Sequence, residues 1–185
     1  MVKKKITSRI VSEVLEGDAE ETLKRLESFQ KNVTHLRYEG KASFGKNLKR
    51  VCEMLEFFND ELIQHLKHEE EIIFPFLETH VPKLEPIIHL LQAEHEDFRR
   101  SLGSFEDCFE ELLNQKNGAH RGKVTERLQE LGTYLIYLLR NHIQAEEESV
   151  HRVIDRELSA REKKELENKI RSFHARGFAK RNGGN

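Results

Sequence analysis

The sequence predicts an all-α protein: an antiparallel four-helix bundle with short extra helices at the N- and C-termini. Apolar residues recur at alternating three- and four-residue steps through most of the chain, the period of a helix with one buried face. Turn signals at the spacing of roughly 8–12 residues that mark an all-β fold are absent. Apolar residues make up 37% and charged residues 35% of the chain, a balance suited to long helices with solvated outer faces. The 185 residues suffice for one domain with a real core, read here as 1–185 with its centre at about 20–155.

The elements follow in order. An amphipathic segment over 6–16 ends at Gly17, and Asp18 caps a second helix carrying Leu26, Phe29, Val33 and Leu36. GKASFG breaks the pattern. The next stripe runs Leu48, Val51, Leu55, Phe58, Leu62, His65, Glu69, Ile72, Phe76, and Pro75 predicts a kink. THVPKLEP turns the corner into Leu84, Ile88, Leu91, His95, Phe98, Leu102, Phe105, Phe109, Leu112. After the loop NQKNGAHRGK comes Leu128, Leu131, Leu135, Leu138/Leu139, His142, Glu146, Val150, Val153. Ser159 and Glu162 form a capping box that opens a last helix over 159–175.

Charge excludes some functions. The chain has 31 basic and 33 acidic residues, so no nucleic-acid footprint is expected, and Lys3–Lys5 and the basic C-terminal residues read as solvated ends. No stretch has the length and apolarity of a membrane span or a signal peptide. Two cysteines do not make a disulfide framework, and a reducing cytoplasm is the expected location. Cys52 lies 13 residues before His65 and Cys108 lies 13 after His95. In antiparallel helices both then sit at one level, about 20 Å from the imidazoles.

The chemistry is concentrated in two inward pairs of the form His-x-x-x-Glu, His65/Glu69 and His142/Glu146. Positions i and i+4 share one face, so each helix presents an imidazole and a carboxylate to the seam. His95 adds a third inward imidazole, and His35 is a candidate fourth. Burying so many ionisable groups is unfavourable without compensation. A pair of divalent or trivalent ions supplies it, since carboxylates bridge metals and imidazoles terminate them. Mixed imidazole and carboxylate donors suit iron or manganese better than a sulfur-rich zinc site. Glu70 and Glu71 are assigned to the solvated side. His68 is read as near the site or solvated. His80, His89, His120, His151 and His174 are read as surface residues, and so is Glu39.

His35, HLKHEEEIIFPFLE at 65–78, LLQAEH at 90–95 and NHIQAEEE at 141–148 together resemble the hemerythrin-like, or HHE cation-binding, family. The resemblance covers about residues 20–155. It implies a four-helix bundle with two non-haem iron ions, oxo- or hydroxo-bridged, with manganese or zinc as substitutes. It further implies Glu69 and Glu146 as bridging ligands, with Glu147 the alternative to Glu146. His35, His65, His95 and His142 are the implied terminal ligands. In the oxygen-carrying branch another His stands one turn before the His95 position, where this chain has Leu91. That branch also has Asp five residues after the last His, whereas His142 is followed by Glu at both +4 and +5. The pattern is closer to the iron–sulfur cluster repair branch, although the Cys-bearing N-terminal domain of those proteins has no counterpart in this sequence.

The implied function is binding or sensing of O₂ or NO, or iron handling under redox or nitrosative stress, with peroxide a further small ligand and a protein partner left open. An oxidase or peroxidase of the ferritin type is the enzymatic alternative. It needs Glu-x-x-His on two inward faces, and the sequence has it once, at Glu148–His151, on a face that regular helical phase turns away. A metal-free helical adaptor is the third reading.

Overall fold

The computed structural model describes the backbone of residues 6–38, 41–114 and 118–182, and side chains over 19–38, 42–114 and 121–173. Among these residues there is no strand, and the chain forms five helices. The first runs Ile6–Tyr38. The second spans 41–80 as α-helical Lys41–Phe57, Ile63–His68 and Phe74–His80, joined by π turns at Phe58–Leu62 and Glu69–Ile73. The third is Glu85–Asn114. The fourth spans 118–157, with α-helical Gly118–Glu146 and Arg152–Glu157 flanking a π turn at Glu147–His151. The fifth is Ala160–Asn182.

Several expected boundaries are corrected. The 6–16 segment is not separate: the backbone is helical straight through Gly17 and Asp18. A glycine inside a helix costs only about 1 kcal/mol, which a long helix tolerates. The second helix starts at Lys41, so most of GKASFG is helical rather than a break. Glu39 and the side chains of His120 and His174 lie outside the described residues, as do Lys3–Lys5. The last helix forms as expected and extends to Asn182. Its capping box is reciprocal: Ser159 N–H donates to Glu162 Oε2 at 2.7 Å, and Glu162 N–H donates to Ser159 Oγ at 3.3 Å.

The third helix, with Leu84 directly before it, buries every residue of the expected stripe from Leu84 to Leu112. It packs along the fourth helix, while the first lies against the second and fourth. The fifth packs against the first helix and the 69–73 turn, where the Phe173 ring lies tilted against His68 with centroids 4.2 Å apart.

The apolar interior is divided in two. One core holds Leu66, Phe98 and Leu139 at one end. The other begins at Ile73, Leu91 and Val150. Between these borders each of three helices places its polar residues: Glu69, His95, and His142 with Glu146, all buried. Packed aromatic rings close the larger core, with Phe58 lying 5.4 Å from Phe29 and 5.6 Å from Phe98, both near edge-to-face. The polar layer is therefore held by apolar packing on both sides, which fixes its geometry.

No helix among the described residues is long and apolar enough to cross a membrane.

Candidate metal centre

Two clusters of potential ligands share one residue. Glu69, His95 and His142 form the first, and His65, Glu69 and Glu146 the second, with the donor atoms of each within 4.8 Å of one another. Glu69 is wholly buried. His65 Nε2 lies 3.0 Å from its Oε1, and His95 Nε2 lies 3.3 Å from its Oε2. Neither oxygen accepts a hydrogen bond of acceptable geometry.

Carboxylates behind the imidazoles set their tautomers. His95 Nδ1–H donates to Glu70 Oε1 at 2.8 Å, and His142 Nδ1–H donates to Glu94 Oε2 at 3.0 Å. In neutral rings that leaves a lone pair on each Nε2. Yet the two Nε2 atoms face each other at 3.2 Å. Two lone pairs and a carboxylate oxygen converging at that range repel unless a cation lies among them. The donor set fits a metal ion, and carboxylates paired with imidazoles in this way are the kind of outer partner that orients metal-binding rings. Phe74 stacks on the His95 ring at 5.7 Å between centroids and steadies its plane.

Glu70 thus belongs to the centre rather than to the solvated side. Arg99 anchors it, donating from Nη2 to Oε2 at 2.9 Å and lying 2.9 Å from Oε1 through Nη1. Burial pushes the Glu70 carboxyl up, but Arg99 and His95 outweigh it and hold the group below the usual range. Replacing Glu70 by Ala is expected to weaken metal affinity about 10–100-fold while leaving the fold intact. Competitive chelator titration, with circular dichroism as the folding check, measures this.

Glu71 stays exposed beside Lys67, as expected, and so does His89. His80 is instead partly buried and donates from Nδ1 to the Phe76 carbonyl at 2.8 Å. His35 is brought to neither cluster. It borders a surface groove with Glu27, Thr34 and Arg140. Among the described side chains of the first helix, Ala19, Glu21 and Thr22 reach the centre's cavity. His35 follows Thr22 by 13 positions, about 20 Å along the helix. Cys52 is partly buried and Cys108 buried, both as free thiols in the larger core. Burial pushes both thiols up, away from the reactive thiolate.

His151 is the residue that sequence phase missed. It is 8% exposed, and its Nε2 lies 3.2 Å from Glu146 Oε1. At about 100° per residue a position five beyond Glu146 points well away. The π turn Glu147–His151 absorbs one extra residue and swings it back. Glu148, its partner in the Glu-x-x-His motif, remains exposed.

The carboxylates are held unequally in the metal-free protein. Burial pushes Glu69 up, but the imidazoles of His65 and His95 override it and keep the carboxyl well below its usual range. Burial, and next the Glu69 carboxylate, push Glu146 up to about 7. For His142, burial lowers the pKa, opposed by Glu69 and reinforced by His95. These shifts give a pH window with a definite sign. Glu146 binds a proton in the folded chain that it has lost in the unfolded chain, so its contribution is full below about 4.5 and disappears as pH rises through about 7. Glu69 acts oppositely, but only below its unfolded value, and His142 only up to about its unfolded 6.5. Metal-free protein is therefore expected to lose roughly 1 kcal/mol between pH 6.5 and 8. Urea denaturation across that range tests this, and Glu146→Gln should flatten the dependence.

A cavity of about 150 Å³ opens onto the centre between the first, second and fourth helices. Phe57, Leu62, Leu139 and Ile143 line its apolar part, while His65, His142, Glu146 and His151 stand at its polar end. A water occupies about 30 Å³, so molecules of that size can enter.

Fold and centre together define a helical-bundle protein with a buried imidazole–carboxylate cation site. Residues 10–154 match the family model described as the hemerythrin HHE cation-binding domain. The chain belongs to that family. A comparison with curated proteins gave no match.

Proposed function

We propose that the chain holds two non-haem iron ions and uses them to bind a small oxidising or radical ligand: O₂, NO or peroxide. The observation that carries this is the sharing of Glu69 by two donor clusters. A carboxylate with both oxygens buried and an imidazole on each side is a bridging ligand in form. The proposed set is His65, Glu69, His95, His142 and Glu146, with the Glu70 and Glu94 carboxylates behind two of the imidazoles. His35 is left out.

A pair of iron ions there would supply a redox-active centre with positions open to a small ligand. The protein's part is separable from that chemistry. The two apolar cores flank the ligands, Glu70 and Glu94 hold the ring nitrogens in register, and the cavity admits a small molecule beside His65 and His151. The buried Leu91 adds no further imidazole near His95, a donor set with open positions that favours reactivity over reversible carriage. Sensing or detoxification in a reducing cytoplasm follows from that, in keeping with the free cysteines.

Metal analysis with absorption spectra recorded with and without O₂ and NO tests the reading. Two irons per chain and a near-ultraviolet charge-transfer band that responds to the gas are expected. Protein purified without metal that does not take up ferrous ion would overturn it in favour of a helical adaptor.

A further inference from the structure

We infer that His151 is a ligand of the second metal ion, supplying from the fourth helix the imidazole that the first helix does not bring. The inference rests on the two-ion reading above and concerns how the second ion is completed.

The two clusters are unequal. The Glu69/His95/His142 cluster has two imidazoles, whereas the His65/Glu69/Glu146 cluster has one. At the level of the second cluster the described side chains of the first helix are Ala19, Glu21 and Thr22. Glu21 reaches outward to Arg25 at 3.0 Å, with most of its side chain exposed. No described imidazole of the first helix lies there, since His35 borders a different groove.

His151 has the attributes of the missing donor. It is buried, it lines the cavity that also exposes His65 and Glu146, and its Nε2 lies 3.2 Å from a carboxylate oxygen of the second cluster. Its position requires the π turn, because in a regular helix the ring would face away. A π turn forfeits regular i to i−4 hydrogen bonds and persists where surrounding contacts compensate. Glu69–Ile73 in the second helix is a π turn of the same kind beginning at the other carboxylate. With His151 included, each cluster has two imidazoles and the two share Glu69.

A hydrogen bond that only positions Glu146 is the competing role, and the test separates the two. Iron content, ferrous affinity and the visible spectrum of cobalt(II)-loaded protein are compared for wild type, His151→Ala and His151→Gln. Gln keeps a donor for Glu146 but no imidazole. A ligand role predicts that both variants retain one ion and bind the second at least about 10-fold more weakly. Millimolar imidazole, which fits the adjoining cavity, should then restore the second ion in His151→Ala. Two tightly bound ions in His151→Ala, or full rescue by Gln, would overturn the assignment and leave the two-ion reading standing. Fewer than two ions in wild type would overturn that reading and the assignment with it. If His151→Ala does not fold, His151→Gln alone decides, because a positioning role predicts wild-type content there.

Discussion

Replacing Glu69 by Ala is expected to remove both metal ions, with ferrous affinity falling by more than about 100-fold. Other residues of the centre serve one cluster, but Glu69 serves two. Loss of an outer partner such as Glu70 costs about 10–100-fold, and loss of a shared inner donor exceeds that. The substitution is unlike a surface change in a second way. In the metal-free protein Glu69 is the like charge that, after burial itself, raises Glu146 to about 7. Glu69→Ala therefore also lowers the Glu146 pKa toward the ordinary carboxylate range, which proton uptake measured on the metal-free variant will show. Calorimetric iron titration is the primary measurement, and His35→Ala is the contrasting control. The control should bind iron as the wild type does, since His35 faces a different groove. Full iron content in Glu69→Ala would sink the shared-bridge account.

The difference between these two variants also shows where sequence reasoning works. Along the third helix the alternation of four- and three-residue steps is unbroken, and every residue from Leu84 to Leu112 in the expected stripe is buried, His95 included. In the second and fourth helices three π turns each add a residue to a turn and shift the phase beyond it. Before Glu69 the expected seam holds at Val51, Phe58 and Leu62; beyond it Ile72 is only partly covered and Ile73 and Phe74 are buried in its place, while the expected Phe76 is buried. The same shift hides His151, which the sequence assigns to the surface.

The cues for these turns are weak but physical. Asn59 donates from its amide to the Leu55 carbonyl at 3.1 Å, and Ser149 donates to the Ala145 carbonyl at 2.5 Å. Each side chain competes for an acceptor of the backbone ladder. Pro75 has no N–H and crowds the carbonyl four residues earlier, and the π turn ends just before it. Pro75 thus widens a turn where a kink was expected. Asn, Ser and Pro at helix-interior positions are common enough that none announces a π turn alone. Glu70 and Glu94 were illegible for another reason: their roles depend on which imidazole of a neighbouring helix lies opposite. His35 borders a different groove, because position along a helix, as well as phase, decides which residues share a level.

Phe58→Ala is expected to destabilise the fold by about 3–5 kcal/mol, the range for a large aromatic removed from a core. Phe58 has no exposed surface and opens the first π turn of the second helix. Its ring meets Phe29 of the first helix edge-on at 5.4 Å and Phe98 of the third at 5.6 Å. Three helices therefore lose a common contact, and edge-to-face pairs add about 0.5–1.5 kcal/mol each beyond burial. Net stabilities of 5–15 kcal/mol make this a large fraction of the total. The cavity left behind lies in the larger core, one to two turns from His65, so the ligands themselves are not removed. Because ions bind only the folded chain, added iron should recover part of the loss, by about 4 kcal/mol at a thousandfold excess over Kd. Urea unfolding with and without iron measures both quantities. The metal-free variant should unfold at much lower urea, and the iron-loaded one should recover most of the difference. An iron-loaded variant no more resistant to urea than the metal-free variant would mean that the aromatic layer and the metal centre are not parts of one cooperative unit.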